Sequence, residues 1–184
     1  MTRPSGDAGP DIAATVAARL RDVPDFPQPG IVFKDIAPLL ADSKAFGAAI
    51  GALADHARAG RPIDLVAGVE ARGFLLAGAL ARELDCGLVA VRKAGKLPPP
   101  TVRSSYNLEY GSGEIEVPVG VLDGRRVFLV DDVLATGGTL RAAVDLLDQA
   151  GATVTGLGVL MELGFLDGRA RLADAAPLHA LLRV

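Results

Sequence analysis

Two carboxylates side by side, Asp131 and Asp132, precede a turn rich in hydroxyls and glycine: Ala135, Thr136, Gly137, Gly138 and Thr139. Gly137 and Gly138 allow the backbone to approach a ligand closely, so several main-chain N–H groups can converge on an anion. The Thr136 and Thr139 hydroxyls add donors, and a helix predicted from Thr139 to Ala150 points its positive end at the same spot. Carboxylates do not bind phosphate, but they accept hydrogen bonds from vicinal hydroxyls or hold a hydrated Mg²⁺. A ribose 5-phosphate satisfies both halves. The plainer alternative is a buried strand that ends in an ordinary Asp turn before a helix cap. Having every part in order favours the phosphosugar.

Positive charge gathers at two other points: Arg72, after Glu70 and Ala71, and Arg92 and Lys93 with Lys96 close behind. Each set follows an apolar run that reads as a strand buried on both faces, Leu65–Val69 and Leu88–Val91, as the acidic pair follows Val127–Val130. Open α/β sheets bind ligands at the carboxyl ends of their strands. All three sets therefore fall where a site belongs.

The intervening segments supply helices. Asp11 can cap one running to about Val23, with Ile12, Val16 and Leu20 on one face, and Asp42 or Ser43 can cap another to about Arg58, stopped by Gly60. A helix Phe74–Leu84 follows the Arg72 turn, and Leu140, Ala143, Val144 and Leu147 stripe the helix that Gly151 ends. Thr153–Met161 reads as the last central strand and Leu178–Val184 as a closing edge strand, which makes His179 structural; His56 is assigned no chemistry. Between Pro24 and Gly30 the prolines stiffen the chain, and Ile31–Lys34 continues as an extended connector with a buried Phe33. Gly95–Ser105 reads as a loop, and Tyr106–Tyr110 pairs with Gly113–Val119 as an antiparallel ribbon, a candidate lid. The pattern predicts an α/β fold with a mainly parallel central sheet flanked by helices.

Composition bounds the function. With 184 residues, 50% of them hydrophobic, the chain suits one domain, residues 11–184, after a disordered tail at 1–10. A formal net charge of −3, from 19 basic and 22 acidic residues, argues against a nucleic-acid partner. The single cysteine, Cys86, excludes an internal disulfide and a Cys-rich zinc site, and reads as a small buried side chain. No stretch has the length of apolar residues that a membrane span needs, so a cytoplasmic protein without a membrane partner is expected.

The segment VFLVDDVLATGGT resembles the phosphoribosyl pyrophosphate (PRPP) signature of type I phosphoribosyltransferases. PDFPQPGIVFKDIAPLL, VEARGF, VRKAGKLP and YNLEYG look like adenine phosphoribosyltransferases in the same order, and the likeness covers most of Pro24 to Leu166. The resemblance implies the type I fold, with a small hood from about 24–40 and 161–184, and a mobile lid at about 95–119. The activity it implies is transfer of the phosphoribosyl group of PRPP to adenine, giving AMP and pyrophosphate in purine salvage. It places Asp131 and Asp132 on the ribose hydroxyls and Ala135–Thr139 on the 5-phosphate. Arg72, Arg92, Lys93 and Lys96 would face pyrophosphate, with substrate-chelated Mg²⁺ whose direct protein ligands are unknown. Main-chain groups of Val32 and Lys34 would read the adenine edge between Phe33 and Leu163, and Glu109, beside Tyr110, would exchange a proton with N7. A homodimer is also implied. Transferases for 6-oxopurines usually carry a lysine near Met161–Leu166, and none is present. Another purine transferase and a PRPP-sensing regulator that binds nucleic acid are the two alternatives, the second expected to bring a basic face or an added module.

Overall fold

The computed structural model describes the backbone of residues 11–108 and 111–184, and every side chain among them except those of 106–108 and 111–112. The tail at 1–10, Glu109 and Tyr110 lie outside the described residues. After α1 (Ile12–Ala17), an antiparallel ribbon of β1 (Arg21–Pro24) and β2 (Val32–Asp35) leads through α2 (Ala37–Ala41) to α3 (Ser43–Ala59). Then come β3 (Leu65–Val69), α4 (Arg72–Leu84), β4 (Gly87–Lys93), β5 (Thr101–Leu108), β6 (Gly111–Pro118), β7 (Arg126–Leu134), α5 (Gly138–Gln149), β8 (Thr153–Glu162) and β9 (Leu178–Arg183).

These later strands form a seven-stranded sheet in the order β5-β6-β4-β3-β7-β8-β9. From β4 to β9 every pairing is parallel, whereas β6 joins β4 and β5 antiparallel. The reason lies in alternation along β7. Val127 and Leu129 enter the core beneath α5, and Phe128 and Val130 enter the opposite core with α3 and α4. Both faces are covered, which is why the strand has no polar alternation. Each such side chain contributes about 1.5–3 kcal/mol of burial. The striped residues of α5, Leu140, Ala143, Val144 and Leu147, are all buried.

Some expectations need correction. The first helix stops at Ala17 rather than near Val23, because Arg21–Pro24 is taken up by the ribbon with β2. Across it Arg21 pairs with Asp35 at 2.6 Å and Lys34 with Asp22 at 2.7 Å, partners too distant in sequence for helical periodicity to register. Strand β5 begins at Thr101, so the loop expected to Ser105 ends at Pro100. The root of the candidate lid is part of the main sheet, through Arg92↔Glu116 and Lys93↔Ile115. Strand β9 also belongs to that sheet, which leaves only the turns after Glu162 and before Leu178 outside it. Phe33 is half-buried rather than buried, and Cys86 is half-buried too. His56 and His179 stack at 4.4 Å beside Phe128, a packing role. No described helix is long and apolar enough to cross a membrane.

Candidate active site

Strand β7 continues to Leu134, so Asp131 and Asp132 lie on the strand and not after it, as the run of four apolar residues had suggested. Pairing with β8 persists to Leu134↔Glu162, which keeps the acidic pair in the ladder. Asp131 Oδ1 accepts the Asp132 N–H at 2.9 Å. Helix α4 starts hard against the pair: a Cβ on Gly73 would lie 2.9 Å from Asp131 Oδ1, so this approach needs glycine.

That contact brings Arg72 to the acids. Its Nε lies 2.8 Å from Asp132 Oδ2, an ion pair without hydrogen-bond alignment, and Oδ2 remains buried with no hydrogen-bond partner among the described residues. The same guanidinium donates through Nη1 to the Lys34 carbonyl at 3.1 Å and lies 4.7 Å from the centre of the Phe33 ring. Phe33 in turn meets Phe26 edge-on at 5.2 Å. Arg72 therefore joins the β1–β2 ribbon to the acidic pair, a link its place in the sequence did not reveal. The Lys34 ammonium is turned to Asp22, so what Lys34 can offer a base is its main chain.

Burial raises the pKa of Asp131 well above its ordinary value, and the neighbouring Asp132 charge adds to this. Burial raises Asp132 too, against the pull of Arg72. Burying two adjacent carboxylates is costly even with Arg72 beside Asp132, and a hydroxyl or a cation brought to the pair relieves it. Among the described residues no group of three or more His, Cys, Asp or Glu could hold a metal. The two acids supply at most part of an octahedral Mg²⁺ shell, so they fit a cation only when the substrate supplies further oxygens.

The turn after β7 encloses a cavity of about 80 Å³ lined by Asp131 and by Val133 to Leu140, a few water volumes and so the scale of one phosphate group. Gly137 has φ +79° at the start of α5, and no side chain caps that end, so the first-turn N–H groups have no side-chain acceptor. Gly168 packs onto this turn from beyond β8: a Cβ there would overlap the Ala135 carbonyl and lie 2.8 Å from the Gly137 nitrogen. Its only trace in the sequence is the turn-forming Asp167–Gly168 pair. Gly168→Ala is expected to push the turn open and weaken ribose 5-phosphate binding at least about tenfold, by roughly 1.4 kcal/mol or more. Unchanged affinity by calorimetry would show that the turn tolerates the displacement.

At the β3 and β4 ends, Glu70 organises the cations. Its Oε2 is 3.3 Å from Arg92 Nε and accepts the Lys93 N–H at 3.0 Å, while Arg92 Nη1 donates to the Lys96 carbonyl at 3.0 Å. Burial works to raise the Glu70 pKa, but the Lys93 amide and Arg92 outweigh it and hold it below the ordinary value. Lys93 and Lys96 are exposed. Of the residues expected at the base, Val32 is exposed and Leu163 half-buried, its N–H donating to the Leu134 carbonyl at 2.9 Å beyond β8. Glu109 lies outside the described residues.

The profile of the phosphoribosyl transferase domain family matches residues 39–175. The chain is 54% identical over 179 residues to adenine phosphoribosyltransferase of Mycobacterium avium, covering 96% of this chain and 97% of that one. It superposes with a TM-score of 0.89 on the crystal structure of adenine phosphoribosyltransferase from Rhodothermus marinus, at 45% identity, covering 94% of this chain and 98% of that one. The Saccharomyces cerevisiae adenine phosphoribosyltransferase, solved with adenine and an imino-altritol bisphosphate, gives a TM-score of 0.87 at 38% identity, covering 92% of this chain and 98% of that one.

Proposed function

The chain belongs to the adenine phosphoribosyltransferases, within the phosphoribosyl transferase domain family, and from that premise we infer that it makes AMP and pyrophosphate from adenine and PRPP in purine salvage. The observation that carries this reading is the Asp131–Asp132 acidic pair at the end of β7, whose Asp131 also lines a cavity of phosphate size. Together they complement a ribose bearing a 5-phosphate.

In this reading Asp131 and Asp132 accept the ribose hydroxyls, and Ala135, Thr136, Gly137, Gly138 and Thr139 hold the 5-phosphate. Arg72, Arg92, Lys93 and Lys96 line the pyrophosphate side. Adenine lies between Phe33 and Leu163, its edge read by main-chain groups of Val32 and Lys34. A bond forms from a purine ring nitrogen to C1′, the C1′–O bond to pyrophosphate breaks, and the base gives up one proton, which we assign to Glu109. Positive charge grows on the sugar and negative charge on the leaving group; the acids ease the first and the four cations the second. Members of the family act on PRPP with Mg²⁺, which when bound neutralises part of the leaving group's charge. Positioning and desolvation matter more than a nucleophile here. Closure of the 95–119 segment as a lid, a cytoplasmic location and a homodimer complete the proposal; exposed Leu75 and Leu88 offer apolar surface to a second copy.

A fixed main-chain carbonyl accepts from an exocyclic amine but cannot pair with a 6-oxo group, and such mismatches discriminate strongly. With Mg²⁺ and PRPP, pyrophosphate release is expected with adenine, and slower by about 10⁴-fold or more with hypoxanthine, guanine or xanthine. Preference for a 6-oxopurine would overturn the base pocket while keeping the phosphosugar site. PRPP binding without turnover would favour the regulator.

A further inference from the structure

Glu116 is a carboxylate that this reading leaves unused, yet it is wholly buried. It lies on β6 opposite Arg92 of β4 and opposite Arg103 of β5. One oxygen, Oε1, accepts the backbone N–H groups of Lys96 at 2.7 Å and Leu97 at 2.8 Å. The other, Oε2, accepts from the Thr101 hydroxyl at 3.1 Å and from Arg103 Nε at 3.0 Å. The Leu97 amide leads these donors in holding its pKa below the ordinary value, against burial. Four donors from three places in the chain thus meet on one side chain.

The loop between β4 and β5 has no ladder of its own, and it carries Lys96. Glu116 holds the Lys96 N–H, Arg92 holds the Lys96 carbonyl, and Glu70 holds both Arg92 and the Lys93 N–H. The peptide group before Lys96 is therefore held to β6, and the one after it is held, through Arg92, to Glu70 at the end of β3 where the Arg72 turn begins. We propose that Glu116 is a positioning residue for the pyrophosphate half of the reaction, acting through the backbone of Lys96 and Leu97 to set the Lys93–Lys96 cations against the Glu70–Arg72 turn. The inference rests on the assignment of those cations to pyrophosphate. Both Glu116 oxygens are taken up by the chain's own donors.

Hydrogen bonds to a charged acceptor are worth about 1.5–3 kcal/mol each, so a neutral acceptor leaves the loop looser while keeping its shape. Steady-state kinetics of the purified full chain test this. Glu116→Gln is expected to raise KM for PRPP and the inhibition constant of pyrophosphate about tenfold each, leaving KM for adenine within about twofold. A merely structural loss would move both substrates together, and that result, or unchanged PRPP and pyrophosphate constants, would overturn the proposal. If the Gln variant does not fold, Glu116→Asp, which keeps the charge on a shorter arm, is read by the same split. In the wild-type protein the Lys96 and Leu97 amides should be protected from hydrogen exchange, and exchange at open-loop rates would also refute the clamp. Failure of the underlying reading shows separately, as wild-type protein that does not release pyrophosphate from PRPP.

Discussion

Replacing Asp131 and Asp132 together by asparagine is expected to lower kcat/KM for PRPP about a thousand-fold, roughly 4 kcal/mol, as two charge-assisted contacts to the sugar are lost. Near-normal turnover and PRPP affinity in the double variant would remove the acidic pair from the site. The same pair has an opposite effect on stability. Burial and mutual repulsion raise the Asp131 pKa above its reference value of 3.8. Across the window from that value up to the raised native one, the folded state keeps a proton that the unfolded chain has released. Stability therefore falls as pH rises through the window, and it stays lowered above it. Asp131→Asn alone should melt higher at pH 8, by about 1 kcal/mol or 2–4 °C, and the gain should vanish below about pH 4. A variant that melts lower than wild type at pH 8 would mean the carboxylate is better solvated than its burial implies.

Arg72→Lys is expected to cost about a hundred-fold in kcat/KM, although it preserves charge. The guanidinium serves Asp132, the Lys34 carbonyl and the Phe33 ring in three directions at once. An ammonium is a point charge and cannot span them. With the span lost, the β1–β2 ribbon and the acidic pair are no longer tied together. In the wild type, ribose 5-phosphate should tighten adenine binding about tenfold, and adenine should tighten ribose 5-phosphate equally, since such coupling is reciprocal. In Arg72→Lys the two affinities should be independent. Calorimetric titration of each ligand with and without the other decides this, and coupling that survives the substitution would show that the bridge carries no communication.

What the sequence determined by itself is the frame. The apolar runs at Leu65–Val69 and Val127–Val130 have no polar alternation because both sheet faces are covered, and both proved to be central parallel strands. The Asp42 cap and Gly60 stop bounded α3 as expected, since caps are short-range chemistry. The acidic pair and the glycine turn were legible for the same reason: each is a contiguous run whose residue types admit few uses. Tertiary structure alone decided who meets whom. The stripe of Ile12, Val16 and Leu20 let the first helix run on to about Val23, but β2 supplies residues 21–24 with a ladder and two ion pairs that the stripe cannot weigh. Glu116 sits in a stretch that reads as an ordinary alternating ribbon, and only the return of the Lys96–Leu97 loop buries it and gives it donors. Gly168 comes under steric constraint only where the chain after β8 lies on the turn at Ala135 to Gly137, and Arg72 becomes a bridge only because α4 begins against β7. Local pattern reports which faces of an element must leave water; electrostatic and steric pairing between distant segments depends on how those faces are stacked, and that is set by the packing of the whole chain.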